Sequence, residues 1–248
     1  MNRLHNKVAI ITGASQGMGA SHAKAFVAEG AKVLLTDLND KAGKALADEL
    51  GENALFIKHD VTKAEDWDKV VKAAEEKFGP VTVLVNNAGV LGPIAKTGDL
   101  EYDGYLKVID VNQHAPFLGM KAVIPSMLKA KVGSIVNISS LAGMMANYGF
   151  PSIAYIASKF ALRGMTKGTA VEYGPHNIRV NSVHPGFIKT PMMELATDES
   201  GGEALKQIPL GRLAQPEEVS NLVVFLASDE SSYITGHEHV IDAGMGIQ

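Results

Sequence analysis

Residues Lys7 to Ala20 read KVAIITGASQGMGA, and the three parts of this stretch decide the fold. Val8 to Ile11 is a short apolar run, Thr12 to Gly19 is a turn carrying three glycines, and a helical pattern follows. The run is too short for the core of a secretory leader, which needs roughly 7–15 apolar residues, so it reads as a buried strand. Gly13, Gly17 and Gly19 permit a tight turn and let the backbone approach a pyrophosphate, whose charge would face the free N–H groups of the next helix. Ser15, Gln16 and Met18 lie between these glycines and belong to the same cofactor-facing turn. Glycine clusters are common in turns; what gives this one weight is its position after a strand and before a helix.

The rest of the chain repeats the strand-then-helix alternation. Apolar, β-rich runs begin at Lys7, Lys32, Ala54, Val81, Gly133, Ile178 and His239. Between them lie helical segments such as DKAGKALADEL and AEDWDKVVKAAEEKFG. In the second, Trp67, Val70, Val71, Ala74 and Phe78 recur at helical spacing until Gly79-Pro80 ends the helix. Continuous apolar strands imply a sheet covered on both faces, and strands alternating with helices imply βαβ units. The prediction is an α/β chain forming one domain over residues 1–248. It has a Rossmann-type, doubly wound, mainly parallel seven-stranded sheet, with a ligand crevice at the carboxyl ends of the strands. Gly186 to Gln207, which contains DESGG, has no core pattern and reads as a substrate lid.

Asp37 ends the second strand, where a carboxylate can accept hydrogen bonds from both hydroxyls of an adenosine ribose. Asn39 or Asp40 can cap the following helix, which leaves Asp37 and its neighbour Leu38 for the cofactor. Asp60, followed by Val61, has two readings, an adenine contact or a local cap.

Net charge is −4 and there is no long basic run, which argues against nucleic acid. The absence of cysteine excludes disulfides, thiolate catalysis and Cys-ligated metal. No apolar stretch approaches the ~20 residues of a membrane span. The eight histidines are scattered, and His237 with His239 have no evident third ligand, so no metal site is expected. A cation held by the Gln248 carboxylate is conceivable but has no support in the residues.

A second stretch, SSLAGMMANYGFPSIAYIASK from Ser139 to Lys159, carries chemistry. On a helix, Tyr155 and Lys159 share a face. A nearby ammonium favours the phenolate and lowers the tyrosine pKa, giving a proton-transfer group.

Together these residues resemble the short-chain dehydrogenase/reductase family over essentially the whole chain. The matching motifs are TGASQGMG, Asp60-Val61, the NNAG of Asn86 to Gly89, Asn112, Ser139-Ser140, the YIASK of Tyr155 to Lys159, and the HPG of His184 to Gly186. The chain looks most similar to NAD-dependent secondary-alcohol and hydroxysteroid dehydrogenase-type members. The resemblance implies Tyr155 as general acid/base, with Lys159 lowering its pKa and holding the nicotinamide ribose. It implies Ser140 as donor to the reacting oxygen and Asn112 as anchor for a water in a proton relay. Asn87, Ala88 and Gly89 would let the ribose approach. Pro185, Gly186 and Ile188, through backbone groups, and Thr190 would hold the carboxamide. The pocket wall is expected from Leu91, Met144, Met145, Tyr148, Phe150, Met192 and Met193; methionine adapts to irregular apolar shapes, though any of these could equally fill core.

The Ser140-to-Tyr155 spacing is longer than usual in the family, so the loop MMANYGFPS is expected to bulge. The leading function is an NAD-dependent oxidoreductase interconverting a secondary alcohol and a ketone. Alternatives are a 3-oxoacyl-carrier-protein reductase, opposed by Asp37 and the negative net charge; a polyol or sugar dehydrogenase; and a non-catalytic NAD-binding regulator, opposed by the joint presence of Ser140, Tyr155, Lys159 and Asn112. A cytoplasmic homotetramer acting on a small molecule is expected.

Overall fold

In the computed structural model, which describes residues 2–146, 152–194 and 205–247, seven strands build one sheet. They are β1 (Val8–Thr12), β2 (Lys32–Asp37), β3 (Ala54–Lys58), β4 (Val83–Asn86), β5 (Gly133–Ile138), β6 (Ile178–Pro185) and β7 (Glu238–Ile241). Their order is β3-β2-β1-β4-β5-β6-β7. Every pairing is parallel, so the sheet is more uniform than the mainly parallel one expected.

The continuous apolar runs follow from having helices on both faces. Along β1, Ala9 and Ile11 join one buried cluster and Ile10 the other. In β2, Val33 and Leu35 face away from Leu34, and in β4, Val83 and Val85 face away from Leu84. Alternate side chains point to opposite faces, and both faces are covered. One layer contains α1 (Gly17–Ala28), α2 (Asp40–Leu50) and α8 (Pro216–Ala227), which contribute Phe26, Leu46 and Val223. The other contains α3 (Ala64–Phe78), α5 (Ala115–Ala130) and α6 (Ile153–Tyr173), which contribute Trp67, Met120, Met127 and Ala170. α4 (Tyr102–Ile109) runs into α5 through a π-helical turn at residues 110–114, and α7 (Pro191–Glu194) is one short turn.

Asn39 caps α2, its side chain accepting the Ala42 N–H at 3.1 Å. α3 ends at Gly79, whose φ of 98° lies in the left-handed region. The strand order reverses at β1 and β4, so the loops after these two strands diverge to opposite sides and open a crevice. Thr12, Asp37, Asn86, Ile138 and Pro185 all end strands on that edge. Residues 195–204, the middle of the expected lid, lie outside the described residues, as do Tyr148, Phe150 and Gln248. No helix among the described residues is long and apolar enough to cross a membrane.

Candidate active site

The glycine turn is built by backbone geometry and by the loop after β4. Gly13 and Gly17 have φ of +63° and +54°, values that L side chains resist. A Cβ on Gly19 would lie 2.1 Å from the Gly13 carbonyl oxygen and 2.6 Å from Asn87 Nδ2. The Thr12 hydroxyl oxygen accepts the N–H groups of Asn87 and Ala88, both at 3.0 Å. Asn87 Nδ2 donates to the carbonyls of Thr12 (2.8 Å) and Gly13 (3.2 Å). Thr12 therefore ties the two loops of the crevice together, a role the sequence reading did not assign.

Asp37 reaches over this turn. Its Oδ2 accepts the Ser15 N–H at 3.1 Å and its Oδ1 accepts the Asn39 N–H at 3.0 Å, which fixes the carboxylate beside the glycines. Leu38 is 63% exposed next to it. Asp60 forms a local turn: its Oδ1 accepts the Thr62 hydroxyl (2.7 Å) and N–H (3.1 Å). Of its two readings, this structure contains the local one. The Val61 carbonyl accepts the Trp67 indole N–H at 2.9 Å. Gln16 stands at the N-cap of α1, and Met18 packs against the first core cluster, so a cofactor contact from Met18 would come through its backbone.

On the far side of the crevice, Thr190 approaches Gly17: a Cβ built there would lie 3.6 Å from the Thr190 side chain. The Gly186 N–H donates to the Ile241 carbonyl at 3.0 Å, and Pro185 pairs with Ile241. Ile188 buries its side chain. Its bridge to Ala214 uses the Lys189 N–H and the Phe187 carbonyl, which turns the Ile188 N–H away from that bridge.

At the end of β5 the two serines part company. Ser139 Oγ donates to the Lys159 carbonyl at 2.9 Å and is buried. Ser140 Oγ accepts the Ala142 N–H at 3.1 Å, and its turn packs against α6, where the Ser140 side chain acts to lower the Tyr155 pKa. Ser140, rather than Ser139, is thus the serine facing Tyr155. Its carbonyl is held by His184 Nδ1 at 3.0 Å, while His184 Nε2 meets the Ser182 hydroxyl at 2.9 Å. A carbonyl only accepts, so His184 carries its hydrogen on Nδ1 and Ser182 donates to Nε2.

Lys159 is 4% exposed. Its Nζ donates to the Ile138 carbonyl at 2.9 Å and lies 5.6 Å from the centre of the Tyr155 ring. Burial pushes its pKa down to about 8. The Tyr155 pKa is raised rather than lowered: burial outweighs the opposing hydrogen bond from Ser140. This corrects the expectation drawn from the helical spacing. The two residues are neighbours, but the ammonium bonds a main-chain carbonyl and sits against the ring, and desolvation dominates both groups.

Asn112 is fully buried in the π-helical turn. Its Oδ1 accepts the Val90 N–H and its Nδ2 donates to the Val90 carbonyl, both at 2.8 Å; Nδ2 also reaches Ser158 Oγ at 3.2 Å. Ser158 in turn donates to the Tyr155 carbonyl at 2.7 Å. The amide therefore clamps the loop after β4 to α6. A Cβ on Gly89 would lie 3.5 Å from Lys159 Nζ and 3.3 Å from Asn112 Oδ1. The missing side chain keeps open the space beside the ammonium. Left-handed glycines, a fixed carboxylate and a buried ammonium along one crevice fit a dinucleotide.

Of the expected pocket wall, Met144 and Met145 pack against a small cluster of Leu141, Ile208 and Met245, so packing accounts for at least part of their surface. Leu91 and Met193 are half-buried and Met192 is exposed. The bulge expected in MMANYGFPS falls largely on residues 147–151, outside the described residues.

A family model described as Enoyl-(Acyl carrier protein) reductase matches residues 13–246. The chain is 50% identical over 245 residues to a 3-alpha-(or 20-beta)-hydroxysteroid dehydrogenase of Mycobacterium bovis, covering 98% of this chain and 90% of that protein. It is 46% identical over 253 residues to a trans-4-hydroxycyclohexanecarboxylate dehydrogenase of Sinomonas cyclohexanicum, covering 98% and 94% respectively. Among solved structures, a short-chain type dehydrogenase/reductase from Mycobacterium marinum superposes with a TM-score of 0.93 at 35% identity, covering 98% of this chain and 96% of that one.

Proposed function

The chain belongs to the short-chain dehydrogenase/reductase family, and on that premise we propose that it interconverts a ring-borne secondary alcohol and its ketone with NAD as hydride carrier. Hydride transfer between an alcohol and a ketone is the reaction of its relatives, and the two named above are called dehydrogenases of a hydroxysteroid and of a hydroxycyclohexanecarboxylate, both compounds with saturated rings. The observation that carries the residue assignment is the packing of the Ser140 turn on α6, where a buried Lys159 lies 5.6 Å from the centre of the Tyr155 ring.

When bound, the nicotinamide gives or takes the hydride. The protein's part is to hold the substrate oxygen and move its proton. Ser140 donates a hydrogen bond to that oxygen and stabilises developing negative charge. Tyr155 accepts the hydroxyl proton in oxidation and returns one in reduction. Lys159 holds a ribose hydroxyl beside the Tyr155 ring. The clamp made by Asn112 sets the spacing between α6 and the loop after β4. The amides of the glycine turn face the pyrophosphate, with Ser15, Gln16 and Met18 contributing backbone and Thr190 closing over Gly17. Asp37 takes the adenosine ribose hydroxyls, with Leu38 beside the adenine. Asn87, Ala88, Gly89, Pro185, Gly186 and Ile188 line the nicotinamide end. The chain works as a cytoplasmic homotetramer in this reading.

The test is a panel of cyclohexanol, cyclopentanol, a 3α-hydroxysteroid, a sugar alcohol and a 3-hydroxyacyl thioester, each mixed with NAD or NADP while the reduced cofactor's absorbance is followed. Turnover of a ring alcohol with NAD is expected. Turnover confined to the thioester or to the sugar alcohol would overturn the substrate class, and equal use of NADP would overturn the cofactor assignment.

A further inference from the structure

Tyr155, Lys159, Arg163 and Lys167 recur at every fourth position of α6 and form one row along the helix. Three neighbouring cations repel one another, and Glu238 at the start of β7 offsets the last two. Arg163 Nε and Nη2 donate to its Oε1 and Oε2 at 2.9 and 3.0 Å, and Lys167 Nζ lies 2.8 Å from Oε1. The free end of the Arg163 fork, Nη1, donates to the Gly143 carbonyl at 3.2 Å. Gly143 closes the turn that begins at Ser140, its N–H donating to the Ser140 carbonyl at 2.8 Å. That turn has no slack against α6. A Cβ on Gly143 would lie 2.5 Å from Ser139 Oγ and 2.7 Å from the Lys159 carbonyl oxygen. The proposed chemistry gives neither Arg163 nor Glu238 a part.

We infer that Arg163, fixed by Glu238, is a positioning residue that holds the Ser140–Gly143 turn against α6 and so sets where Ser140 Oγ stands relative to Tyr155. The turn has two anchors from behind. His184 holds its first carbonyl and Arg163 its last. A planar fork fixed at two points by a carboxylate leaves its third donor with a set direction, which a single-point ammonium does not give. Removing Arg163 frees the far end of the turn. The cofactor-facing glycines and Asp37 lie on other elements and are left in place.

The inference rests on the assignment of Ser140 and Tyr155 above, and the experiment separates the two. The full chain and its Arg163→Met, Glu238→Gln, Ser140→Ala, Ser140→Ala/Arg163→Met and Ser140→Ala/Glu238→Gln variants are assayed by steady-state and single-turnover cofactor reduction with the best ring alcohol of the panel. NAD affinity is read in parallel by quenching of Trp67 fluorescence. Arg163→Met is expected to slow turnover about tenfold or more, with KM and NAD affinity within about twofold, the pattern of a lost transition-state contact. In the Ser140→Ala background the same substitution is expected to change the rate by less than about twofold, because residues acting as one unit are not additive. Glu238→Gln keeps the side chain's size and one oxygen acceptor, and it gives the same non-additivity with a smaller loss if Arg163→Met does not fold. Equal losses in both backgrounds, or a parallel fall in NAD affinity, would overturn the positioning role while leaving Ser140 in place. A Ser140→Ala variant as fast as the parent would overturn the Ser140 assignment and the inference with it.

Discussion

Tyr155 and Lys159 are both governed by desolvation, and their variants respond in opposite ways. Tyr155→Phe keeps the ring's packing and removes the transferable proton. Turnover is expected to fall by about a hundredfold or more with NAD affinity nearly unchanged, within the range for a lost general acid/base; a rate above a tenth of the parent's would exclude the assignment. Lys159 is a buried cation whose pKa falls from 10.5 to about 8. Below pH 8 it is charged in both the folded and unfolded chain, and the cost of burying that charge is fully present. Between pH 8 and 10.5 the folded protein releases the proton while the unfolded chain keeps it, so this cost is relieved as pH rises. Lys159→Met is therefore expected to raise the unfolding free energy of the cofactor-free protein at pH 7 by about 1–3 kcal/mol, discounted for the Ile138 carbonyl left without its donor. The gain should shrink toward pH 10 in urea titrations of the two proteins, and activity should be lost. Asp37 sets cofactor choice. A 2′-phosphate about 4 Å from its carboxylate would be repelled by about 4 kcal/mol at an effective dielectric near 20, before screening. Asp37→Ala should shrink the preference for NAD in paired kcat/KM measurements. It also removes the acceptor for the Ser15 N–H, so a modest loss of NAD affinity should accompany it.

At the scale of elements, the glycine turn is the least forgiving junction. A methyl on Gly19 would meet the Gly13 carbonyl at 2.1 Å, and main chain cannot step aside as a flexible side chain can. Gly19→Ala should weaken NAD binding about a hundredfold and cost several kcal/mol of stability, as overpacking against backbone does; calorimetric titration and thermal melts check it. This junction was readable in advance because strand, glycine spacing and helix are all local in sequence. So was the sheet's parallel character, since runs such as Val8–Ile11 and Val83–Val85 show no polar face. The contacts that join elements were not readable. Thr12 to Asn87, Asn112 to Val90, His184 to Ser140 and Arg163 to Glu238 each link residues far apart in sequence, and neither periodicity nor spacing encodes which partner a polar side chain finds. The four-residue spacing on α6 is written in the sequence, but nothing in it names Glu238 as the partner of the last two members. The sign of the Tyr155 shift was missed for a related reason. Helical spacing gives adjacency, whereas the pKa depended on burial and on where the lysine head points.

For the whole molecule, α5 and α6 present apolar residues on the outside as well as toward the sheet. Phe117 and Leu128 on the first and Phe160 and Val171 on the second are exposed, with Val171 at 80%. Second apolar faces of this kind are the surface that the proposed assembly would cover. Sedimentation at micromolar concentration is expected to give a tetramer, and Phe117→Glu with Phe160→Glu should shift it toward smaller species; a stable 26.3 kDa monomer of the parent chain would contradict the assembly. The all-parallel sheet has a further consequence, for how the chain acquires its shape. No two paired strands are joined by a hairpin. Even β2 and β3, whose register matches Val33 with Ala54, are separated by the whole of α2. β1 lies between β2 and β4, so its second edge waits for residues near Val83. Residues ahead of β1 wait longer still, since Arg3 pairs with Glu230 and Lys7 with Asp229. Every ladder must close a long loop before any of its bonds form, which makes for high contact order and slow folding. On the ribosome the first strand emerges long before its partners exist, and Glu238, which steadies Arg163 behind the Ser140 turn, is made only after the first six strands. The anchor behind the Ser140 turn thus arrives only after most of the sheet has been made.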